Sequence, residues 1–208
     1  MRLTVFGATG GTGTEVVRQA LAGGHDVTAV VRDPGGMRLP PDASLSVITA
    51  DVMDSAAIKP ALNGAGAVVS ALGPRPRGPL NVLADSMRAI LAAMDATGTR
   101  RLVAVSASGF FKEEGEGLIT GAVAKPILRA IFRARVPDAR HFEQLITASG
   151  TDWTIMRPAQ LTNAPRRPYK TALDRHLGPR IARADLADAI LVALTDPATI
   201  GHRVNLGY

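Results

Sequence analysis

The chain has 208 residues, of which 46% are hydrophobic and 20% charged, and it contains no cysteine. That length supports one sizeable core rather than two ordinary domains, and the composition is that of a folded globular chain. The absence of cysteine excludes a disulfide framework and a thiolate zinc site, and the net charge of +6 comes from basic residues that form no single long block.

The first apolar run, Leu3-Thr4-Val5-Phe6, reads as a strand and ends at Gly7. It is too short for a signal-peptide core or a membrane span, so a cytoplasmic chain with no membrane attachment is expected. Gly13 to Ala22 reads as a helix with Val16, Val17, Ala20 and Leu21 on one face. Strands follow at Val27–Val31 and Leu45–Thr49, then a short helix from about Ser55. Ala67–Leu72 is the fourth strand, and Asn81–Thr97 is an amphipathic helix closed by Gly98. Leu102–Ser106 is the fifth strand. A helix from Asp138 to Ala148 and a sixth strand, Trp153–Met156, complete the repetition.

These strands are apolar throughout rather than alternating, as when both faces are buried. The repetition predicts an α/β fold: a doubly wound parallel sheet of the Rossmann kind, in three αβα layers and a single domain. Gly73–Pro79 cannot form a regular element, because its prolines lack donors and fix φ. Lys112–Pro137 is expected to hold a basic helix with Ile127, Leu128, Ile131 and Phe132 on one side and Arg129, Arg133 and Arg135 mostly on the other. Covering the sheet is the commoner role for such a helix than a membrane surface or a second subunit. After Pro158 the chain reads as loop-rich, with a helix at Asp185–Leu194 and a short strand near Val204–Leu206. Residues 157–208 are expected to form a small substrate-side region.

The strongest motif is Gly7-x-x-Gly10-x-x-Gly13, lying between a strand and a helix. A tight turn there needs residues without a Cβ to block an approaching diphosphate, and the helix-start amides favour an anion. Gly11 belongs to the same turn, and Thr9 and Thr12 can add hydroxyls. About 20 residues on, the tip of the second strand is Arg32, followed by Asp33. A cofactor with free ribose hydroxyls usually meets a carboxylate at this tip, whereas a guanidinium suits a 2′-phosphate. NADP(H) is therefore expected over NAD(H), with Arg38 as a second candidate partner. The alternative is a surface arginine stacked on the adenine.

Asp51-Val52 follows the third strand, where a carboxylate can accept from the adenine amine or simply cap a helix. Ala71-Leu72-Gly73 ends the fourth strand, where small residues would let the backbone pass beneath a ribose. Ser106 and Ser108 end the fifth strand and could orient a substrate carbonyl or the nicotinamide, or cap the strand. Arg157-Pro158 ends the sixth strand. All these segments fall at carboxyl ends of strands, where open α/β sheets bind ligands.

Phe6-Gly7-Ala8-Thr9-Gly10-x-Thr12-Gly13, Val30-Val31-Arg32-Asp33, Asp51-Val52, Leu72-Gly73 and Arg183-x-Asp185-Leu186 resemble the atypical short-chain dehydrogenase/reductase family. The resemblance lies in its NAD(P)H-binding, NmrA-like branch, and is greatest to the flavin-reductase (biliverdin reductase B) group. It implies a monomer-like Rossmann fold, NADPH as hydride donor and a shallow apolar substrate site. It also implies phosphate binding by Gly7, Thr9, Gly10, Thr12 and Gly13, a 2′-phosphate on Arg32, and an active site lined by Ser106 or Ser108. The chain departs from that group in having no histidine after Pro158 and a more charged loop after Ser108 (Lys112, Glu113, Glu114, Glu116). It also lacks the Tyr-x-x-x-Lys pair of the wider superfamily: its tyrosines are Tyr169 and Tyr208, and Tyr169 is followed directly by Lys170, the wrong spacing.

Two functions remain open. One is an NADPH-dependent reductase passing hydride to a flavin, quinone or carbonyl compound. The other is a cofactor-binding redox sensor without turnover. A small-molecule substrate, a monomer or weak homodimer, no nucleic acid and no metal are expected. Arg75, Arg77 and Arg157 could attract an acidic substrate, though a solvated loop charge is the simpler reading. Asp185 and Asp188, at i and i+3 near a helix start, are explained by the helix dipole and capping rather than as a paired-carboxylate site. Trp153 reads as packing beside the sixth strand, and His141, with Glu143 and Gln144, as structural or exposed.

Overall fold

The computed structural model describes residues 1–73, 80–107 and 134–208. Ser108, Arg75, Arg77, the prolines of 74–79 and the apolar positions of the basic helix expected near 127–133 lie outside them. Six parallel strands carry the repetition: β1 (Arg2–Phe6), β2 (Asp26–Val31), β3 (Leu45–Thr49), β4 (Ala67–Ser70), β5 (Arg101–Val105) and β6 (Asp152–Pro158). The helices between them are α1 (Gly11–Ala22), α2 (Ser55–Ile58), α3 (Val82–Thr97) and α4 (Val136–Thr147). The C-terminal part adds β7 (Gln160–Thr162), β8 (Lys170–Leu173), β9 (Arg180–Ala182), α5 (Arg183–Thr195) and β10 (His202–Gly207).

The main sheet runs β3-β2-β1-β4-β5-β6-β10-β8, antiparallel only between β10 and β8. Because strand side chains alternate, the sheet feeds two cores. On one face Leu3, Val5 and Val69 meet Val16, Val17 and Ala20 of α1 and Leu186 and Ile190 of α5. On the other, Phe6, Val68, Leu102 and Ile155 meet Met87, Ile90 and Met94 of α3 and Phe142 and Ile146 of α4. The result is one doubly wound, three-layer αβα domain, as the sequence predicts. Among the described residues no helix is long and apolar enough to cross a membrane.

Helix ends are tied down by groups distant in sequence. The buried carboxylate of Asp138, on α4, accepts from the first-turn amides of α3, Leu83 N at 3.1 Å and Ala84 N at 2.9 Å. Gly98 closes α3 with φ +71°, as its position suggests. The Arg101 guanidinium reaches from β5 to the last carbonyls of α5, at Ala193 and Leu194, and to Asp152 O.

Two expectations change after Pro158. The loop-rich stretch contains β7 and β9, which pair in parallel as a separate two-stranded sheet, and the edge strand β8. Three- and four-residue strands are too short to show a period in sequence. Asp185 and Asp188 are not caps, because the N-cap of α5 is Ala182, with no side-chain bond. Instead Asp185, 1% exposed, accepts from Tyr208 Oη at 2.6 Å, and Asp188 accepts from Tyr169 Oη at 2.7 Å. The two carboxylates fasten the last residue and the 163–169 loop to α5.

Candidate functional site

The turn after β1 lies where the strand order reverses, between β1 and β4. Gly7 takes φ +78°, and a Cβ there would lie 2.6 Å from Ala71 O, on the end of β4. A Cβ on Gly13 would lie 2.1 Å from Gly7 O. Both glycines are therefore required by close backbone packing that folds the turn back on itself. Gly10 N donates to Gly7 O at 2.9 Å, and Thr14 Oγ1 donates to Ala8 O at 2.9 Å, which stiffens the loop. No side chain caps α1, and Thr9, Gly10 and Gly11 remain exposed. The start of α1 thus carries no side-chain cap, the arrangement that leaves its first-turn amides for a phosphate. Thr12 is nearly buried, so Thr9 is the more accessible hydroxyl.

Beside the turn lies an open cleft of about 570 Å³ lined by Thr9, Arg32, Asp33, Gly35, Gly36 and Arg38. Arg32 and Arg38 are exposed, and neither makes an ion pair with another described residue. Asp33 is turned to a local task. Its carboxylate accepts from Gly35 N at 2.9 Å and caps the 3₁₀ turn Pro34–Gly36. Both guanidiniums remain open to the cleft, beside a carboxylate that is partly engaged by its own turn. Arg38, the second candidate partner, lies in a loop whose course no local pattern fixes. The turn capped by Asp33 is what returns it to the cleft.

Across the turn, a Cβ on Gly11 would meet Cδ of Arg183 at 2.8 Å. Arg183 opens α5, and its guanidinium donates to Asn163 Oδ1 at 2.7 Å. A further cation, besides Arg32 and Arg38, therefore stands against the glycine turn. The sequence showed Arg183 only as part of a family marker, because the contact joins the two ends of the chain.

Other candidates sort differently. Asp51 is exposed, and its Oδ1 accepts from Met53 N at 3.0 Å, while the cap of α2 is Asp54. Val52 packs partly buried against the α3-side core. Ala71 and Leu72 are half-buried at the end of β4, whereas a Cβ on Gly73 would meet no atom of another described residue within 4 Å. Pro158 is buried at the end of β6.

The other end of the crevice holds a group that the sequence did not reveal. Glu143, on α4, is 4% exposed. Its Oε1 accepts from Ser106 Oγ at 2.6 Å and from Arg157 Nε at 3.0 Å. Its Oε2 accepts from an Arg157 terminal nitrogen and from Arg203 Nε at 3.4 Å. Arg157 is therefore a buried, paired residue, not a loop charge open to an acidic substrate. No sequence signal singled out Glu143, because α4 also carries Asp138, Arg140, His141 and Gln144, and nothing local separates a buried carboxylate from these polar neighbours. His141 is exposed, as expected, and Trp153 packs against the same core with Arg203 5.7 Å from its ring centre.

Neither tyrosine hydroxyl is free. Burial, then the Asp188 carboxylate beside it, push the Tyr169 phenol above its ordinary range. Tyr208 Oη is held between Asp185 and Ala182 N.

Comparison with known proteins agrees with this geometry. Residues 7–197 match the model of the NAD(P)H-binding family. The protein YwnB of Bacillus subtilis is 32% identical over 163 residues, spanning 76% of this chain and 72% of its own. A Rossmann-fold NAD(P)-binding family protein of Shigella flexneri shares 26% identity at a TM-score of 0.74, over 99% of this chain and 92% of that one. A short-chain dehydrogenase/reductase of Veillonella parvula, solved with NADP, superposes at a TM-score of 0.83 over 100% and 94%, at 20% identity, and so shows likeness of fold alone. With its glycine turn, its strand order and a family match over nearly the whole chain, the protein belongs to the NAD(P)H-binding family of Rossmann-fold proteins.

Proposed function

We propose that the chain is an NADPH-dependent oxidoreductase that passes hydride to a small acceptor such as a flavin, quinone or carbonyl compound. The observation that carries the reading is the pairing of two exposed arginines, Arg32 and Arg38, with Thr9 around one cleft beside the glycine turn. A 2′-phosphate there meets two guanidiniums, which outweigh the one carboxylate of the cleft, Asp33, whose Oδ1 already accepts from Gly35 N. The first-turn amides of α1 take the diphosphate, with Arg183 flanking them. Asp51 and Val52 border the adenine, Ala71, Leu72 and Gly73 pass beneath the ribose, and Ser106 and Pro158 border the nicotinamide. Residues 157–208 close the substrate side.

When bound, the cofactor supplies the hydride and leaves as NADP⁺, and one proton completes the reduction of the acceptor. The chain's own part is to bind, to orient and to exclude water. No tyrosine stands ready to give that proton, so solvent supplies it. The chain acts in the cytoplasm as a monomer or weak homodimer, like the flavin-reductase group it resembles. The test is a fluorescence titration with NADPH and NADH, followed by NADPH oxidation with riboflavin and menadione. Equal affinity for the two cofactors would overturn the assignment to NADPH.

A second reading is a redox sensor that binds NADP(H) without turnover. The engagement of both tyrosines by carboxylates favours it. Tight NADPH binding with no oxidation by any acceptor would establish it over the reductase.

A further inference from the structure

We infer that Glu143 is a positioning residue that fixes Ser106 as a hydrogen-bond acceptor, so that the ligand group meeting the end of β5 must carry an N–H or O–H. The inference rests on the dinucleotide reading above. Ser106 has one hydroxyl proton, and the Glu143 carboxylate 2.6 Å away can only accept. With two guanidiniums also donating to that carboxylate, it has no proton to return. The Ser106 proton is thereby committed, and what the half-buried oxygen offers outward is lone pairs. Glu143 cannot turn away, because it is 4% exposed and held by Arg157 from β6 and Arg203 from β10. A serine at a strand end is ordinarily free to donate to a carbonyl or accept from an amide, and here that choice has been removed.

Two ligands could supply the donor: the carboxamide of the nicotinamide, or an N–H on the substrate. Two arms separate them. The first measures binding of NADP⁺ and of its 3-acetylpyridine analogue, in which a methyl ketone replaces the carboxamide. The second compares riboflavin with 3-methylriboflavin, which lacks the imide N–H, as acceptors by kcat/KM. If the carboxamide is the donor, the analogue binds about five- to tenfold more weakly than NADP⁺, the loss of one hydrogen bond. If the substrate is the donor, the methylated flavin loses by the same factor.

In Ser106→Ala the discrimination disappears. In Glu143→Gln it disappears or reverses, because the new amide can donate to Ser106 and free its proton, while Glu143→Asp restores part of it. A role confined to stability would lower the melting temperature without moving either ratio. Ser106→Ala should keep its fold, so the test does not depend on the buried variant. Full NADP⁺ affinity with no discrimination in either arm would overturn the inference and leave dinucleotide binding intact. Failure to bind NADP⁺ at all would sink the reading on which it rests.

Discussion

Two strand ends look alike in sequence and behave as opposites. Val30-Val31-Arg32 ends β2, and Ile155-Met156-Arg157 ends β6, each an apolar strand finishing in arginine. Arg32 stands exposed in an open cleft, while Arg157 is 8% exposed and bonded to Glu143. The difference lies in what covers the strand. Beyond β2 the chain makes a tight 3₁₀ turn, and only the edge strand β3 lies outside it. β6 is an inner strand flanked by β5 and β10, and α4 lays a carboxylate directly over its end. A strand-end arginine is thus an open group or a structural one according to its cover, and the residue itself does not say which.

The largest effect should come from breaking the covered pair. Glu143→Ala leaves two guanidiniums without their shared carboxylate and should cost about 3–5 kcal/mol of stability, read by chemical denaturation. A loss under about 1 kcal/mol would mean that Arg157 is no more locked than Arg32. Next is Arg32→Ala, which should weaken NADPH by tenfold or more, about 1.5–3 kcal/mol, and leave NADH nearly unchanged. Calorimetric titration of both cofactors checks it, and an equal loss would remove Arg32 from the 2′-phosphate. Asp138→Ala should cost about 0.5–2 kcal/mol of stability through the uncapped start of α3, with NADPH affinity held constant. It sharpens the comparison by unsettling α4 without touching the exposed cleft. The smallest effect is expected for Arg183→Ala. A cation beside the diphosphate, rather than on the 2′-phosphate, should weaken NADPH and NADH alike by about two- to fivefold.

Much of the scaffold was legible from local patterns. The apolar runs of β1, β2, β4 and β5, the spacing in α1 and α3, and Gly98 at the end of α3 all report on neighbours within a turn or a strand. At the site, Gly7-x-x-Gly10-x-x-Gly13 and Arg32 were legible for the same reason, since both sit at the junction of adjacent elements. The short pairing of β7 with β9 was not, because three residues carry no measurable period. Asp185 does stand in the first turn of α5, where the dipole favours it, but the tyrosines that Asp185 and Asp188 hold, Tyr208 and Tyr169, lie about 20 residues further along or back and left no local sign.

The sequence by itself determined the parallel αβα architecture, the glycine turn and the presence of arginine where a carboxylate would mark the other cofactor. These depend on side-chain period and on backbone geometry that only glycine allows, both of which are local. Only the tertiary structure decided which arginines stay free. It brought Arg38 to Arg32 and Arg183 to Gly11, and it placed Glu143 over Ser106 and Arg157. Those contacts join residues brought together by helix and strand packing, and the availability of a charge is a property of what surrounds it.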